Sequence, residues 1–156
     1  MARKKKPGTI VLIDLGDGYH AYARELHHPF VAIYDTRTIE PMEPDQIISQ
    51  PFLFILAVFD KAFIRWQKVG YVPLIPNELA VPDRFIQDVV NPGDCRIVDV
   101  DGWEHPATIE ECIGLEAAAI WDSDEVEDRI RDHYAGRKNV WLESLKVKLL
   151  DKDTKD

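Results

Sequence analysis

The chain has 156 residues, is 46% hydrophobic, and carries 28 acids against 19 bases, a net charge of −9. That length and apolar share suit one globular domain with a core that needs no staples. The longest apolar run, Phe52 to Phe59, is far short of the roughly 20 residues that span a bilayer; the basic opening MARKKKPG leads into no apolar signal core; and Cys95 and Cys112 form no CxxC, so the expectation is a cytoplasmic protein with reduced thiols and no membrane partner.

Residues 1–8 read as a basic, flexible tail. TIVLIDL (Thr9 to Leu15) is a strand rich in β-branched residues, GDG (Gly16 to Gly18) a tight turn, and YHAYARE the returning strand. Strand alternation puts Tyr19, Ala21 and Ala23 on one face and His20, Tyr22 and Arg24 on the other. After the break at His27–Pro29, FVAIYD (Phe30 to Asp35) completes an antiparallel meander. A short helix is expected over Pro44 to Ser49, entered through a first-turn proline. FLFILAVFD is then a central strand, apolar on both faces. The segment from Lys61 to Phe85 reads as irregular, its prolines Pro73, Pro76 and Pro82 forbidding a long helix.

RFIQDVV is a short strand, and CRIVDVDGWEH a hairpin turning at Asp101-Gly102. TIEE (Thr108 to Glu111) has the spacing of a capping box, in which hydroxyl and carboxylate each satisfy the other residue's backbone amide. LEAAAIWD fits helix or strand. A second late helix begins at Asp122 or Ser123 and stops at Gly136, the left-handed position that ends many helices. SLKVKLL alternates as a closing strand with one wet face, and 151–156 is a flexible tail. The sum is an α+β fold within 9–150: a twisted antiparallel sheet, open or curled into a partly open SH3-like barrel, with two short helices in the C-terminal third.

The charge is regional. Asp101 to Ala135 holds eleven acids and two arginines, and the rest of the chain is balanced at 17 of each. Phosphates would be repelled there, so nucleic acid is not expected as a partner; the acidity either meets a basic protein surface or simply keeps the protein soluble. On a helical wheel of the late helix, Val126, Ile130 and Tyr134 share one stripe, facing the core. Glu127–Arg131 and Glu125–Arg129 are i,i+4 pairs in the favoured order. Asp124, Asp128 and Asp132 form the opposite stripe. Asp132 is the residue that local helix energetics does not explain, because its like-charged neighbour and the helix C-terminus both disfavour it. It is either held by a cation from elsewhere or kept for a basic partner.

Enzymatic patterns are weak. A carboxylate stripe opposite the apolar face converges on nothing, and His133 with Asp128 and Asp132 lacks the HExxH spacing of a metal site. His27 and His28 are adjacent in a turn, where their side chains diverge. No GxSxG, P-loop or dinucleotide glycine pattern is present, and neither cysteine carries a nucleophile motif. No catalytic residue, metal site or cofactor is therefore assigned.

In order, IDLGDGYHAYARE, FVAIYD, SQPFLFILAVFDKAFIRWQKVGYVPL, FIQD, PATIEECIGLEAAAIWDSDEVEDRIRDHYAGRKN and WLESLKV resemble the immunity protein 26 family of bacterial polymorphic toxin systems, from about Thr9 to Val147. The resemblance implies a small, cytoplasmic, non-enzymatic α+β protein that neutralises a cognate toxin domain by binding it. Charge then nominates Asp124, Glu125, Glu127, Asp128 and Asp132 for contact, with Glu110, Glu111, Glu116, Arg65 and Trp66 behind them. The expected partner is a basic toxin domain, met by a monomer or weak homodimer. The alternatives are a small metal-dependent hydrolase using His133 or His27-His28, and a cytoplasmic adaptor.

Overall fold

A computed structural model describes residues 6–150, so the two tails fall almost wholly outside the described residues. In chain order the elements are β1 (Thr9–Asp14), β2 (His20–Glu25), β3 (Phe30–Tyr34), α1 (Pro44–Ile48), β4 (Phe52–Val58), α2 (Ala62–Arg65) and β5 (Gln67–Tyr71). They continue with β6 (Arg84–Gln87), β7 (Cys95–Val98), β8 (Glu104–Ala107), α3 (Ile109–Cys112), β9 (Glu116–Ala117), β10 (Ile120–Trp121), α4 (Ser123–Ala135) and α5 (Val140–Leu145). The fold is α+β, as expected, but neither sheet closes into a barrel. The chain forms two compact units, one of Met1–Ala80 with Ile120–Asn139 and one of Val81–Ala119 with Val140–Asp156.

The first unit is a six-stranded sheet in the order β10-β4-β3-β2-β1-β5. The β1–β2–β3 meander is antiparallel, with Val11 opposite Ala23 and Ala23 opposite Ile33. One face carries Ile10, Tyr22 and Tyr34, packed with Ile47 of α1. A Cβ at Gly70 would lie 2.6 Å from the Pro44 ring, so only glycine lets α1 approach β5 this closely. The other face carries Val11, Ile13, Ala21 and Ala23, all fully buried. Phe54, opposite Ile33, lies on that face, and Arg129 of α4 sits 3.7 Å over its ring. Val126 and Ile130 of α4 are fully buried, as the wheel requires.

Arg24 is the largest fully buried side chain. Its guanidinium donates to the Val72 and Pro73 carbonyls at 2.8 and 3.0 Å, to the Tyr34 hydroxyl at 3.4 Å, and to Glu78. The proline-bounded stretch after β5 is thus tied down by backbone carbonyls meeting a buried cation. One expectation for this part of the chain changes. Only the residues after Tyr71 are irregular, because β5 pairs with β1 as an edge strand. Its sequence, QKVGY, is too polar to announce itself.

The second unit is a four-stranded sheet in the order β8-β7-β6-β9, with Phe85, Cys95, Ile97, Ile109 and Cys112 as its core. The β7–β8 hairpin turns through Asp99, whose carboxylate accepts the Asp101 and Trp103 amides at 2.9 and 3.0 Å. The expected closing strand over 145–149 is overturned. Residues Val140–Leu145 are helix, and Lys148 pairs with a side chain instead of a strand: the Gln87 amide donates to its carbonyl at 2.9 Å and accepts its N–H at 2.8 Å.

Candidate protein-binding surface

Helix α4 is built from local signals. Asp122 and Glu125 form a reciprocal capping box at its start, and Gly136 ends it at φ 70°. Its carboxylates, however, are largely engaged within the protein. Glu127 is only 2% exposed. Both of its oxygens are taken by Arg65, from Nε at 2.6 Å and Nη2 at 2.7 Å, and the buried indole of Trp66 donates to it at 3.0 Å. So Glu127 does not pair with Arg131 and is not part of an exposed stripe. The hydrogen bonds and charge of Glu127 in turn hold the Arg65 guanidinium above its ordinary pKa. Arg65 and Trp66, one pair of nominated residues, thus meet Glu127, nominated on α4, in one ion-pair cluster joining α2 to α4.

This cluster makes a stability prediction. Breaking a fully buried ion pair costs about 3–5 kcal/mol, but Arg65 is 55% exposed and water can replace part of what is lost. Arg65→Ala should therefore cost about 2–3 kcal/mol in urea unfolding. The double variant Arg65→Ala/Glu127→Gln should cost less than the sum of the single changes. Strict additivity would mean that the pair is not coupled.

Asp132 has a structural explanation. Its carboxylate accepts from Arg137 Nε at 3.1 Å and Asn139 Nδ2 at 2.9 Å, both beyond the helix. Asp128 pairs with Arg131 at 2.6 Å, and Arg131 also donates to the Leu15 carbonyl at 2.7 Å. Asp124 is exposed in the first turn, where the dipole favours it. Glu125 is half-buried and holds the cap.

Charge is distributed differently in space than along the chain. The second unit holds thirteen acids and six bases, the first fifteen acids and thirteen bases. Seven of the nine net negative charges therefore belong to the second unit. There Glu110 and Glu111 are exposed on α3, and Glu116 is half-buried in β9. Glu111 closes the Thr108 capping box at 2.8 Å, and the Thr108 amide and hydroxyl hold its carboxyl below the ordinary range. Among the described residues, Asp101 and Glu110 have no side-chain hydrogen bond or ion pair. Between Asp101 and Glu104, at the hairpin tip, Trp103 is 76% exposed. Sequence reasoning passed over it, although an aromatic beside an Asp-Gly turn with acids on both sides was a visible signal.

The groups nominated for chemistry sit in local pairs and packing contacts. His28 is within 3.0 Å of Asp60, and His133 packs edge-on against Tyr134. Burial, with Cys95 beside it, pushes the Cys112 thiol up to about 11, which suits core packing and not nucleophilic attack. A cavity of about 370 Å³ beside β6 is lined by Phe85, Ile86, Ala117 and Leu145, and the Asp88 carboxylate at its edge already accepts the Val90 and Asn91 amides. Among the described residues, no group of three or more His, Cys, Asp or Glu is placed to hold a metal ion, and no helix is long and apolar enough to cross a membrane.

Comparison with protein families sets the class as that of immunity proteins: residues 6–96, more than half of the chain, match the model described as Immunity protein 26. The chain belongs to the immunity protein 26 family. The match covers β1 to β6 and the start of β7, and so ends before α3, α4 and the Trp103 hairpin tip. Neither the curated proteins nor the solved structures contain a match to this chain.

Proposed function

We propose that this protein protects the cell that makes it by binding a cognate toxin domain of a polymorphic toxin system. Binding is tight and one-to-one, takes place in the cytoplasm, occludes the toxin's active site, and needs no chemistry from the immunity protein. The supporting observation is the second unit: it carries most of the net negative charge and raises an exposed tryptophan among acids. Tryptophan is enriched among residues that dominate binding energy, and a one-signed field speeds association with a basic partner. Trp103, Asp101, Glu104 and Glu110 are the preferred contacts, with Glu111 and Glu116 beside them. On α4, Asp124, Glu125 and the half-exposed Asp128 remain as a second contact set. Glu127 and Asp132 leave that set, because their carboxylates are engaged internally.

The direct test is co-expression with the toxin encoded beside the gene. Restored growth is expected, and failure by a soluble, folded protein would sink the immunity reading. Association kinetics with the purified toxin then locate the steering surface. Asp101→Lys/Glu110→Lys should slow association about tenfold at low salt and flatten its salt dependence, since electrostatic steering spans such factors. Asp124→Lys/Asp128→Lys should have the smaller effect. An unchanged rate in the first variant removes steering by the second unit. Stoichiometric zinc or manganese in the purified protein would instead favour the hydrolase reading.

A further inference from the structure

Arg37 lies in the extended segment after β3. The next residue, Thr38, exchanges backbone hydrogen bonds with His20 at 2.7 and 2.9 Å, and its hydroxyl is 3.0 Å from that of Tyr22. Thr38 therefore turns toward Tyr22, whereas Arg37 turns to the Tyr19 and Tyr134 rings. The Arg37 guanidinium carbon is 4.1 Å from the Tyr19 ring centroid and 5.0 Å from that of Tyr134. The Tyr134 ring is anchored by its hydroxyl, which donates to Asp35 at 2.9 Å, and the Tyr19 backbone is held by its amide, which donates to the Asp17 carboxylate at 3.0 Å.

Arg24, Arg65, Arg131 and Arg137 each direct their donors to carboxylates or carbonyls of the chain. Arg37 is exposed, and among the described residues its guanidinium makes no hydrogen bond or ion pair. Held over two aromatic faces, it has already lost much of the rotamer freedom that binding would otherwise remove. Its planar fork of N–H donors keeps the geometry that matches a carboxylate with two parallel bonds.

We propose that Arg37, held by Tyr19 and Tyr134, is a docking anchor for an aspartate or glutamate side chain of a protein partner, with Ile39 supplying the apolar contact beside it. Ile39 is 60% exposed, and tyrosine and arginine are the residue types enriched at interface hot spots. A phosphodiester backbone offers Ile39 no apolar partner, whereas a protein surface supplies one beside the carboxylate. This site takes a charge opposite to that favoured by the Trp103 hairpin, and it does not rest on the toxin reading.

The test uses the whole protein labelled with 15N, following the Arg37 Nε–Hε resonance while hexaglutamate, hexalysine or hexathymidylate is added. Hexaglutamate should shift that resonance saturably. Arg37→Ala and Arg37→Lys should each weaken hexaglutamate binding tenfold or more, because lysine cannot chelate with two parallel donors. Tyr19→Leu should weaken it severalfold with Arg37 intact. The melting temperature of the Arg37 variants should stay within a degree or two of the parent. A silent Arg37 resonance, full binding by Arg37→Ala, or an equal response to hexathymidylate would each overturn the proposal.

Discussion

Arg24→Ala should be the most damaging single change in the first unit, lowering stability by about 3–5 kcal/mol, the range for breaking a buried charged network. The side chain has 0% exposure. Its loss leaves the Val72 and Pro73 carbonyls without their donor and opens a cavity between the sheet and the stretch after β5. Urea unfolding should show the midpoint shift at unchanged slope. Arg24→Lys should rescue little, since one ammonium cannot reproduce donors aimed at a hydroxyl, a carboxylate and two carbonyls.

The Arg24 partner adds a pH dependence. Burial alone would raise the Glu78 pKa, but the Arg24 hydrogen bond, the Ile75 amide and the Arg24 charge outweigh it and hold the carboxyl below its ordinary 4.5. A depressed folded value means that the contribution is fully present above pH 4.5 and is lost as pH falls through the folded value. The stability difference between the parent and Glu78→Gln should therefore shrink as pH drops below 4.5. A constant difference across that window would show that the carboxylate's ionisation contributes nothing.

Trp103→Ala should act on binding alone. A buried interface tryptophan contributes about 2 kcal/mol or more, roughly 30-fold in Kd. In the unbound protein the side chain is 76% exposed, so unfolding should move by no more than about 0.5 kcal/mol. The loss should lie mainly in the dissociation rate, in contrast to the charge reversals, which act on association. A toxin affinity unchanged by Trp103→Ala would take the hairpin out of the interface.

Features set by a few consecutive residues were legible in the sequence. The capping boxes at Thr108–Glu111 and Asp122–Glu125, the stop at Gly136, the Val126–Ile130 stripe and the two faces of β2 all follow from local backbone chemistry. What the wheel could not supply was partners from beyond the helix. Asp132 is satisfied by Arg137 and Asn139, past the helical stop, and Glu127 by Arg65 and Trp66, more than sixty residues earlier. Edge strands were the other blind spot. β5 and the two-residue β9 and β10 have little of the apolar alternation that marks a half-buried strand, because one side of each lacks a neighbour. The even spread of acids along 101–135 likewise hid their division between two units, which only the chain path reveals.

The two-part makeup of the first unit also sets the timing of its completion at the ribosome. β4 ends at Val58, but the residues that cap its open side, Ile120 and Trp121, come more than sixty positions later, followed by the helix that shields Phe54. At translation speeds of 5–20 residues per second, that delay is roughly 3–12 s. For that interval the emerging chain presents an uncapped strand edge and an unshielded apolar sheet face, the features that nascent-chain chaperones recognise and that invite misassociation. The second unit, whose last segment follows Asn139, is completed later still.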